Sequence, residues 1–141
     1  MFVIDALIGN WDRHNGNWGF LYNQDTDEIK LAPIFDCGSS LFPQMDEDLA
    51  KKVLNDKGLF NARVFDFPTS AILYNGKRIN YYKFIKSHEY KELDDAILRL
   101  RDKIDISKIN TLIDDVNYLK DIQKNFLKLI IKKRYEAFFY E

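Results

Sequence analysis

Three polar residues near the start of the chain have the types and the spacing that phosphate chemistry requires. Asp12 and Asn17 lie five residues apart in the polar stretch NWDRHNGN, and Asp36 opens the sequence Asp-Cys-Gly after a segment long enough for a short hairpin. An aspartate in such a loop can accept a hydrogen bond from an attacking hydroxyl, while carboxylate and amide oxygens are hard ligands that suit Mg²⁺. The order therefore predicts phosphoryl transfer from a magnesium-bound nucleotide, with Asp12 aligning the hydroxyl and Asn17 and Asp36 holding the metal.

Three residues beside Asp12 and Asp36 are expected to have supporting roles. Arg13 can meet either a phosphate or a nearby carboxylate, and the sequence leaves both open. His14 could act as a general base, but Asp12 already fits that role. We therefore expect His14 to brace the loop by hydrogen bonding to backbone near Asp36. Gly38 is expected to let the chain turn sharply after the metal ligand.

Other reactive or aromatic side chains are expected to be structural. Cys37 is interpreted as a small residue packed in its loop, and Trp11 and Trp18 as packing anchors on either side of the catalytic loop. The run Lys132-Lys133-Arg134 is interpreted as the solvated end of the last helix. Because Cys37 is the only cysteine, an intramolecular disulfide framework and a cysteine-rich zinc site are excluded.

Several stretches of the sequence resemble a known family. LIGNWDRHNGNWGFL and KLAPIFDCGSSL resemble segments of the HipA family of bacterial kinases, including its shorter CtkA-type members, and the tail with NYYKF and FLKLIIKKRYEAF is similar to that family's helical end. The resemblance implies an ATP-dependent serine/threonine protein kinase, with Asp12 as catalytic base and Asn17 and Asp36 as Mg²⁺ ligands. It also implies frequent self-phosphorylation and links to toxin–antitoxin modules, so an antitoxin is an expected partner besides the protein substrate.

One part of a kinase has no counterpart in the sequence. The six glycines form no G-x-G-x-x-G motif, and no strand precedes the loop at residues 10–17. We therefore expect the N-terminal lobe to come from the same polypeptide or from a partner chain, and this chain alone to be inactive.

Two alternative functions stay open. One is a phosphatidylinositol-kinase-like lobe, which shares the Asp-Arg-His-x-x-Asn and Asp-x-Gly motifs but would need a basic membrane-facing segment where residues 38–48 are acidic. The other is a non-catalytic binding module or toxin–antitoxin partner.

Composition and charge place broad limits on the protein. The 141 residues suit one domain with a sizeable core, and the 21 basic and 22 acidic residues give no indication of a nucleic-acid partner. Acidic residues are concentrated in the first fifty positions, which fits a divalent-cation site but also a solvated acidic surface. The start MFVIDALIG has no basic n-region and is interrupted by Asp5, so neither a signal peptide nor a membrane span is predicted. The default location is the cytoplasm.

Periodicity predicts a mainly α (α+β) lobe spanning residues 1–141, with two small β-hairpins. The catalytic loop is expected at residues 10–17, the metal-binding loop at 36–40 and the helical part at 46–141. Hairpins are predicted from two short apolar runs, 18–22 and 28–32, and from Asn75-Gly76 between apolar residues. Helices are predicted at 2–8 and 46–56, along the stripe Leu93/Ile97/Leu100/Ile104, after a Ser107 cap, and at 118–139. The stripe Phe126/Leu129/Ile130 is expected to be buried.

Overall fold

A computed structural model describes residues 1–140. About half of the chain is helical, and the strands form two separate antiparallel hairpins, which confirms the predicted fold class. In chain order the elements are α1 (Phe2–Ile8), β1 (Phe20–Asn23), β2 (Glu28–Leu31), α2 (Glu47–Asn55), α3 (Lys57–Phe65), β3 (Thr69–Tyr74), β4 (Lys77–Asn80), α4 (Tyr81–Ile85), α5 (Lys91–Arg101), α6 (Ile106–Asp114) and α7 (Asp121–Phe139), with one 3₁₀ turn at Asn15–Asn17.

The C-terminal helix α7 is the centre of the core. It packs against all six preceding helices, and Phe126, Ile130 and Ala137 are fully buried on it. Burial of a large apolar side chain such as Phe126 or Ile130 supplies about 1.5–3 kcal/mol, so α7 contributes strongly to the packing of the shorter helices around it. The predicted stripe is wrong at Leu129, which is 41% exposed, because the buried face of α7 passes through Leu127 and Ile131 beside Phe126 and Ile130.

Both predicted hairpins are present. β1 pairs with β2 with Phe20 opposite Leu31 and Tyr22 opposite Ile29. β3 pairs with β4 across Asn75-Gly76, and these two residues have φ angles of 50° and 74°. Positive φ at both central positions is what a two-residue turn of the favoured hand requires, which explains the Asn-Gly sequence.

The structure adds two helices that periodicity did not predict, α3 and α4. Each begins at a polar cap, because the Asp56 carboxylate accepts from the Leu59 amide and the Asn80 side chain accepts from the Lys83 amide. The expected Ser107 cap is wrong by two residues. Asp105 caps α6 instead, with its carboxylate accepting from the Ser107 amide at 2.9 Å.

Length and hydropathy together decide whether a helix can cross a lipid bilayer. Within residues 1–140, no helix is both long enough and apolar enough to do so.

Candidate active site

The end of α1 determines where the loop at residues 10–17 begins. Gly9 terminates the helix in a left-handed conformation (φ 68°), and the next residue, Asn10, is fully buried. The Asn10 amide donates to Asp5 Oδ1 at 3.0 Å, and its Oδ1 accepts from the Asp12 backbone N–H at 3.2 Å. Tyr81 on α4 donates its hydroxyl to the Asn10 carbonyl. The Asn10 side chain therefore links Asp12 to α1, and the bond from Tyr81 fixes the Asn10 backbone.

A second hydrogen bond fixes the orientation of the Asn17 side chain. Asn17 is buried at the end of the 3₁₀ turn, and its Nδ2 donates to the Asp12 carbonyl oxygen at 3.0 Å. Because the amide nitrogen makes that bond, the amide oxygen is the atom of this side chain that stays available as an acceptor. The spacing of five residues in the sequence thus has a structural reason, since the loop closes on itself between Asp12 and Asn17.

Arg13 connects this loop to the segment that carries Asp36. Its Nη1 donates to the carbonyl oxygens of Asn17 and Phe35, each at 2.7 Å, so these two backbone positions lie within two hydrogen-bond lengths of each other. Its Nη2 contacts Cys37 Sγ at 3.3 Å. One guanidinium therefore binds the backbone on the N-terminal side of Asp36 and the side chain on its C-terminal side.

The charge of Arg13 is balanced by a carboxylate inside the protein. Nε and Nη2 bind the Asp5 carboxylate at distances of 3.1 to 3.3 Å, and both side chains are only 3% exposed. The hydrogen bond to Asp5 is the main cause that raises the pKa of Arg13, against the lowering effect of its burial. Of the two partners that the sequence left open for Arg13, the structure shows the carboxylate.

Asp36 is exposed and has an unusual backbone conformation. Its φ angle is 53°, in the left-handed region, which costs a non-glycine residue about 1–2 kcal/mol and which aspartate adopts more readily than most residues. Gly38 lies in a turn that follows Asp36, in which the Ser40 N–H donates to the Cys37 carbonyl oxygen at 3.0 Å, so the chain turns where the sequence predicts. The left-handed conformation occurs at Asp36 and not at Gly38, which has no positive φ.

His14 braces the loop as expected, but its partner is Gly16 and not the backbone near Asp36. His14 is exposed, and its Nδ1 accepts from the Gly16 N–H at 3.0 Å, so it caps the 3₁₀ turn inside its own loop. The contact with backbone beside Asp36 is made by Arg13, whose longer, forked side chain reaches two carbonyls at once.

Three oxygen ligands in these loops are left without partners. Within residues 1–140 no hydrogen bond or ion pair involves the Asp12 carboxylate, the Asp36 carboxylate or Oδ1 of Asn17. No group of three or more His, Cys, Asp or Glu side chains that could hold a metal occurs in the same range. Carboxylate and amide oxygens are the type of ligand that Mg²⁺ takes, and one or two of them suffice where water and phosphate complete its coordination.

Arg134 on α7 contacts the end of α1, the helix that leads into the catalytic loop. The sequence suggested a solvated helix end, and this is wrong for Arg134, which is 2% exposed. It donates to the carbonyl oxygens of Arg63 at 2.7 Å and of Leu7 and Phe67 at 3.3 Å, and lies over the Phe42 ring. These carbonyls belong to or follow the C-terminal turns of α1 and α3, where helix dipoles favour a cation. Burial lowers the pKa of Arg134 to about 9.

The remaining side chains near the loops are more exposed than expected. Cys37 is exposed rather than packed. Trp11 and Trp18 are 43% and 40% exposed, and Trp18 makes an edge contact with the Phe20 ring at 5.9 Å between centroids. His88, for which the sequence shows no partner, pairs with Asp94 at 2.9 Å, away from the site.

Sequence reasoning missed the residues that hold the loops in place. Asp5 and Asn10 contact the motif at Arg13 and at Asp12. Tyr81 and Arg134 act one step further away, by donating to the carbonyl oxygens of Asn10 and Leu7. The only signal in the sequence is a polar residue inside an apolar helical run, such as Asp5 within MFVIDALIG.

The arrangement of a helical lobe, a hairpin and two polar loops is that of the kinase class, and comparison with known proteins agrees. No protein-family model matches the sequence. The chain is 46% identical over 135 residues to serine/threonine-protein kinase CtkA of Helicobacter pylori strain J99, a match that covers 95% of this chain and 42% of that protein. The crystal structure of the Helicobacter pylori proinflammatory kinase CtkA matches with a TM-score of 0.89, covering 95% of this chain and 47% of that one.

The chain is therefore a close homologue of one part of a CtkA-type serine/threonine kinase. It spans less than half the length of the relatives that it matches.

Proposed function

We propose that this chain is the C-terminal lobe of an ATP-dependent serine/threonine protein kinase, in which the γ-phosphate of Mg-ATP passes to a protein hydroxyl. The observation that carries the proposal is the Arg13 bridge, which brings the backbone of Asn17 and of Phe35 to one guanidinium group. A loop carrying Asp12 and Asn17 and a loop carrying Asp36 are thereby held side by side with their acceptor oxygens unpaired. A surface role would not require such a buried bridge.

Each residue has a defined task in this reaction. Asp12 would accept a hydrogen bond from the attacking hydroxyl, align it with the γ-phosphorus and receive its proton as the new P–O bond forms and the bond to the leaving diphosphate breaks. Asn17 Oδ1 and the Asp36 carboxylate would hold the magnesium ion, which neutralises phosphate charge when bound. Arg13 touches neither substrate nor metal, since its charge is satisfied by Asp5. It is a positioning residue.

The proposal includes a second lobe that covers the nucleotide. The chain has no glycine-rich phosphate loop, and its match extends over only 42% of the related kinase. Positioning and charge neutralisation supply nearly all of the catalysis in phosphoryl transfer, so residues 1–141 alone should transfer little or no phosphate. Links to a toxin–antitoxin module and a cytoplasmic location stay predictions from the family resemblance and the composition.

A chimera tests the metal assignment. This chain would replace the matching region of the Helicobacter kinase, and transfer of radiolabelled phosphate to protein would be followed during a Mg²⁺ titration. Asp36→Asn tolerates the positive φ but removes the charge, so it should reduce transfer at least ~100-fold and raise the Mg²⁺ concentration needed. Asp95→Ala, an exposed substitution on α5, is the control and should change nothing. Full activity of the Asp36→Asn chimera with an unchanged Mg²⁺ requirement would favour the non-catalytic module.

A further inference from the structure

A small cleft opens between the catalytic loop and the segment that follows the metal-binding loop. Its lining includes Trp11 from the catalytic loop, Phe42 and Pro43 from that segment, and Arg63 and Phe67 from the end of α3 and the residues after it. Its volume is about 290 Å³, which suits one side chain rather than a larger ligand. Trp11 and Phe67 are 43% and 42% exposed, so the cleft is open to solvent. We name it the Arg63 cleft.

Arg63 carries a charge that no described carboxylate balances. Its Nη1 donates to the Leu59 carbonyl oxygen at 3.0 Å, and its guanidinium lies 5.4 Å from the centre of the Phe67 ring. Nε is buried without a hydrogen-bond partner, and within residues 1–140 no carboxylate forms an ion pair with this side chain. Burial lowers the pKa of Arg63. Because buried polar groups in native proteins are nearly always paired, a half-buried guanidinium with a single acceptor requires an explanation.

The other two arginines near the loops are satisfied by the protein itself. Arg13 binds the Asp5 carboxylate, and Arg134 donates to backbone carbonyl oxygens, one of which belongs to Arg63. The backbone of Arg63 therefore supports the fold, while its side chain keeps donors that no described residue uses. A planar fork of N–H donors matches the two oxygens of a carboxylate, so the missing partner is an anion of that shape.

The Arg63 cleft adjoins the candidate active site. Trp11 directly precedes Asp12, and consecutive Cα atoms lie about 3.8 Å apart. On the other side, Phe42 follows Asp36 by six residues. A peptide whose hydroxyl reaches Asp12 would therefore bring its neighbouring residues past the opening of the cleft.

We propose that the Arg63 cleft binds an acidic side chain of the protein substrate, carried within about three residues of the serine or threonine that accepts the phosphate. This inference rests on the proposed function and adds a substrate class to it. The rings of Trp11 and Phe67 cover the apolar stem of the bound side chain, and Arg63 supplies the fork for its carboxylate.

The charges around the cleft favour an acidic substrate over a basic one. Asp46, Glu47 and Asp48 are exposed at the start of α2 and would attract a basic peptide, but none of them lines the cleft. The Asp46 carboxylate already accepts from the Leu49 amide at 2.8 Å. Attraction to these residues acts through solvent and is screened by salt, whereas a side chain inside the cleft meets Arg63 directly.

An NMR titration of the 141-residue chain measures this preference without phosphoryl transfer. The probes are short serine peptides that carry one Glu, Gln or Lys at each position within three residues of the serine. At one position or more, the Glu peptide should bind at least ~10-fold more tightly than the Gln peptide and shift the indole N–H signal of Trp11. The chain has two tryptophans, so Trp18→Phe identifies that signal. Equal affinities for the Glu and Gln peptides, or tightest binding of a Lys peptide, would overturn the proposal.

Matched arginine variants assign the preference to Arg63. Arg63→Gln should reduce the preference for Glu to within about twofold, and Arg63→Lys, which keeps the charge without the fork, should retain part of it. Arg99→Gln, an exposed substitution on α5, is the control and should leave the preference unchanged. An undiminished preference in Arg63→Gln would contradict the role of Arg63. If Arg63→Gln does not fold, Arg63→Lys and the peptide series on wild type decide the matter.

Transfer assays in the chimera with the Helicobacter kinase separate this inference from the proposed function. The Glu peptide should show a KM at least ~10-fold lower than the Gln peptide at a similar kcat, because the cleft binds the ground state and the transition state alike. Transfer to peptide with no charge preference would overturn the role of the cleft and leave the proposed function standing. A preference for Glu in binding, with no transfer by the wild-type chimera, would count against the proposed function and leave the cleft standing.

Discussion

The buried pair between Arg13 and Asp5 should be the most costly interaction to break in the site. In Arg13→Leu, the Asp5 carboxylate stays 2% exposed, with the Asn10 amide as its only described side-chain donor. Removing one partner of a buried ion pair typically costs about 3–5 kcal/mol. The carbonyls of Asn17 and Phe35 also lose a donor, at about 1 kcal/mol each when water can partly replace it. We expect Arg13→Leu to lower the free energy of unfolding by about 5–7 kcal/mol.

A double-mutant cycle shows whether the loss comes from the pair itself. Asp5→Leu should also be strongly destabilising, because it leaves a buried guanidinium without its carboxylate. The double variant places two apolar side chains where the charges were, so its loss should be smaller than the sum of the single losses by about 2–3 kcal/mol. Urea unfolding of the isolated chain, with the slope compared across variants, measures each corner of the cycle.

The control is an arginine with no described contact. Arg99 is exposed on α5, and Arg99→Leu should change the free energy of unfolding by no more than about 0.5 kcal/mol. If either single variant is too unstable to unfold cooperatively, Arg13→Lys keeps the charge but loses the fork, and should cost less than Arg13→Leu. A loss below about 1 kcal/mol for Arg13→Leu, or strictly additive losses in the cycle, would refute the bridge as the element that holds the loops.

Two further predictions concern the support of the loop. Gly9→Ala should cost more than about 2 kcal/mol in urea unfolding, because the new Cβ would clash with the buried Arg134 guanidinium at a positive φ, whereas Gly19→Ala, with no atom near its Cβ position, is the control; similar losses for both would contradict the packing. Burial raises the pKa of Tyr81 from 10 to about 12, so folding favours its protonated form. That stability is fully present below pH 10 and is lost as the pH rises to 12, amounting to about 2–3 kcal/mol at 1.36 kcal/mol per pKa unit. The pH dependence of unfolding should therefore be steeper in wild type than in Tyr81→Phe over this window, and identical curves would show that Tyr81 titrates normally.

The sequence predicts best those parts of the fold that are determined locally. Gly9 ends α1 and Asn75-Gly76 turns the second hairpin because these residues tolerate a positive φ that most others resist. Helices with long apolar stripes are also predicted well, because their periodicity can be seen within a short stretch of sequence. The short helix α4 was missed, because five residues contain too little periodicity and its cap, Asn80, also ends a strand.

The sequence indicates the motif residues of the candidate site but not the residues that hold them in place. Asp12, Asn17 and Asp36 are recognisable because their spacing follows from one loop and one hairpin. Arg134 contacts Leu7 across 127 residues of sequence, and a local reading of three consecutive basic residues indicates solvent exposure instead. Whether a cation is solvated or buried depends on which helix ends converge on it, and this convergence is a property of the tertiary fold.

The most direct test of the proposed function is the effect of Asp12→Ala on phosphoryl transfer in the chimera with the unmatched portion of the Helicobacter kinase. General-base and alignment effects contribute about 10²–10⁴-fold, so transfer of radiolabelled phosphate from ATP to protein should fall by at least ~100-fold. The melting temperature of the Asp12→Ala chimera should equal that of wild type, and the control Asp95→Ala should transfer phosphate at the wild-type rate. Transfer by Asp12→Ala within about threefold of wild type would contradict the assignment of Asp12, and with it the claim that these loops perform phosphoryl transfer.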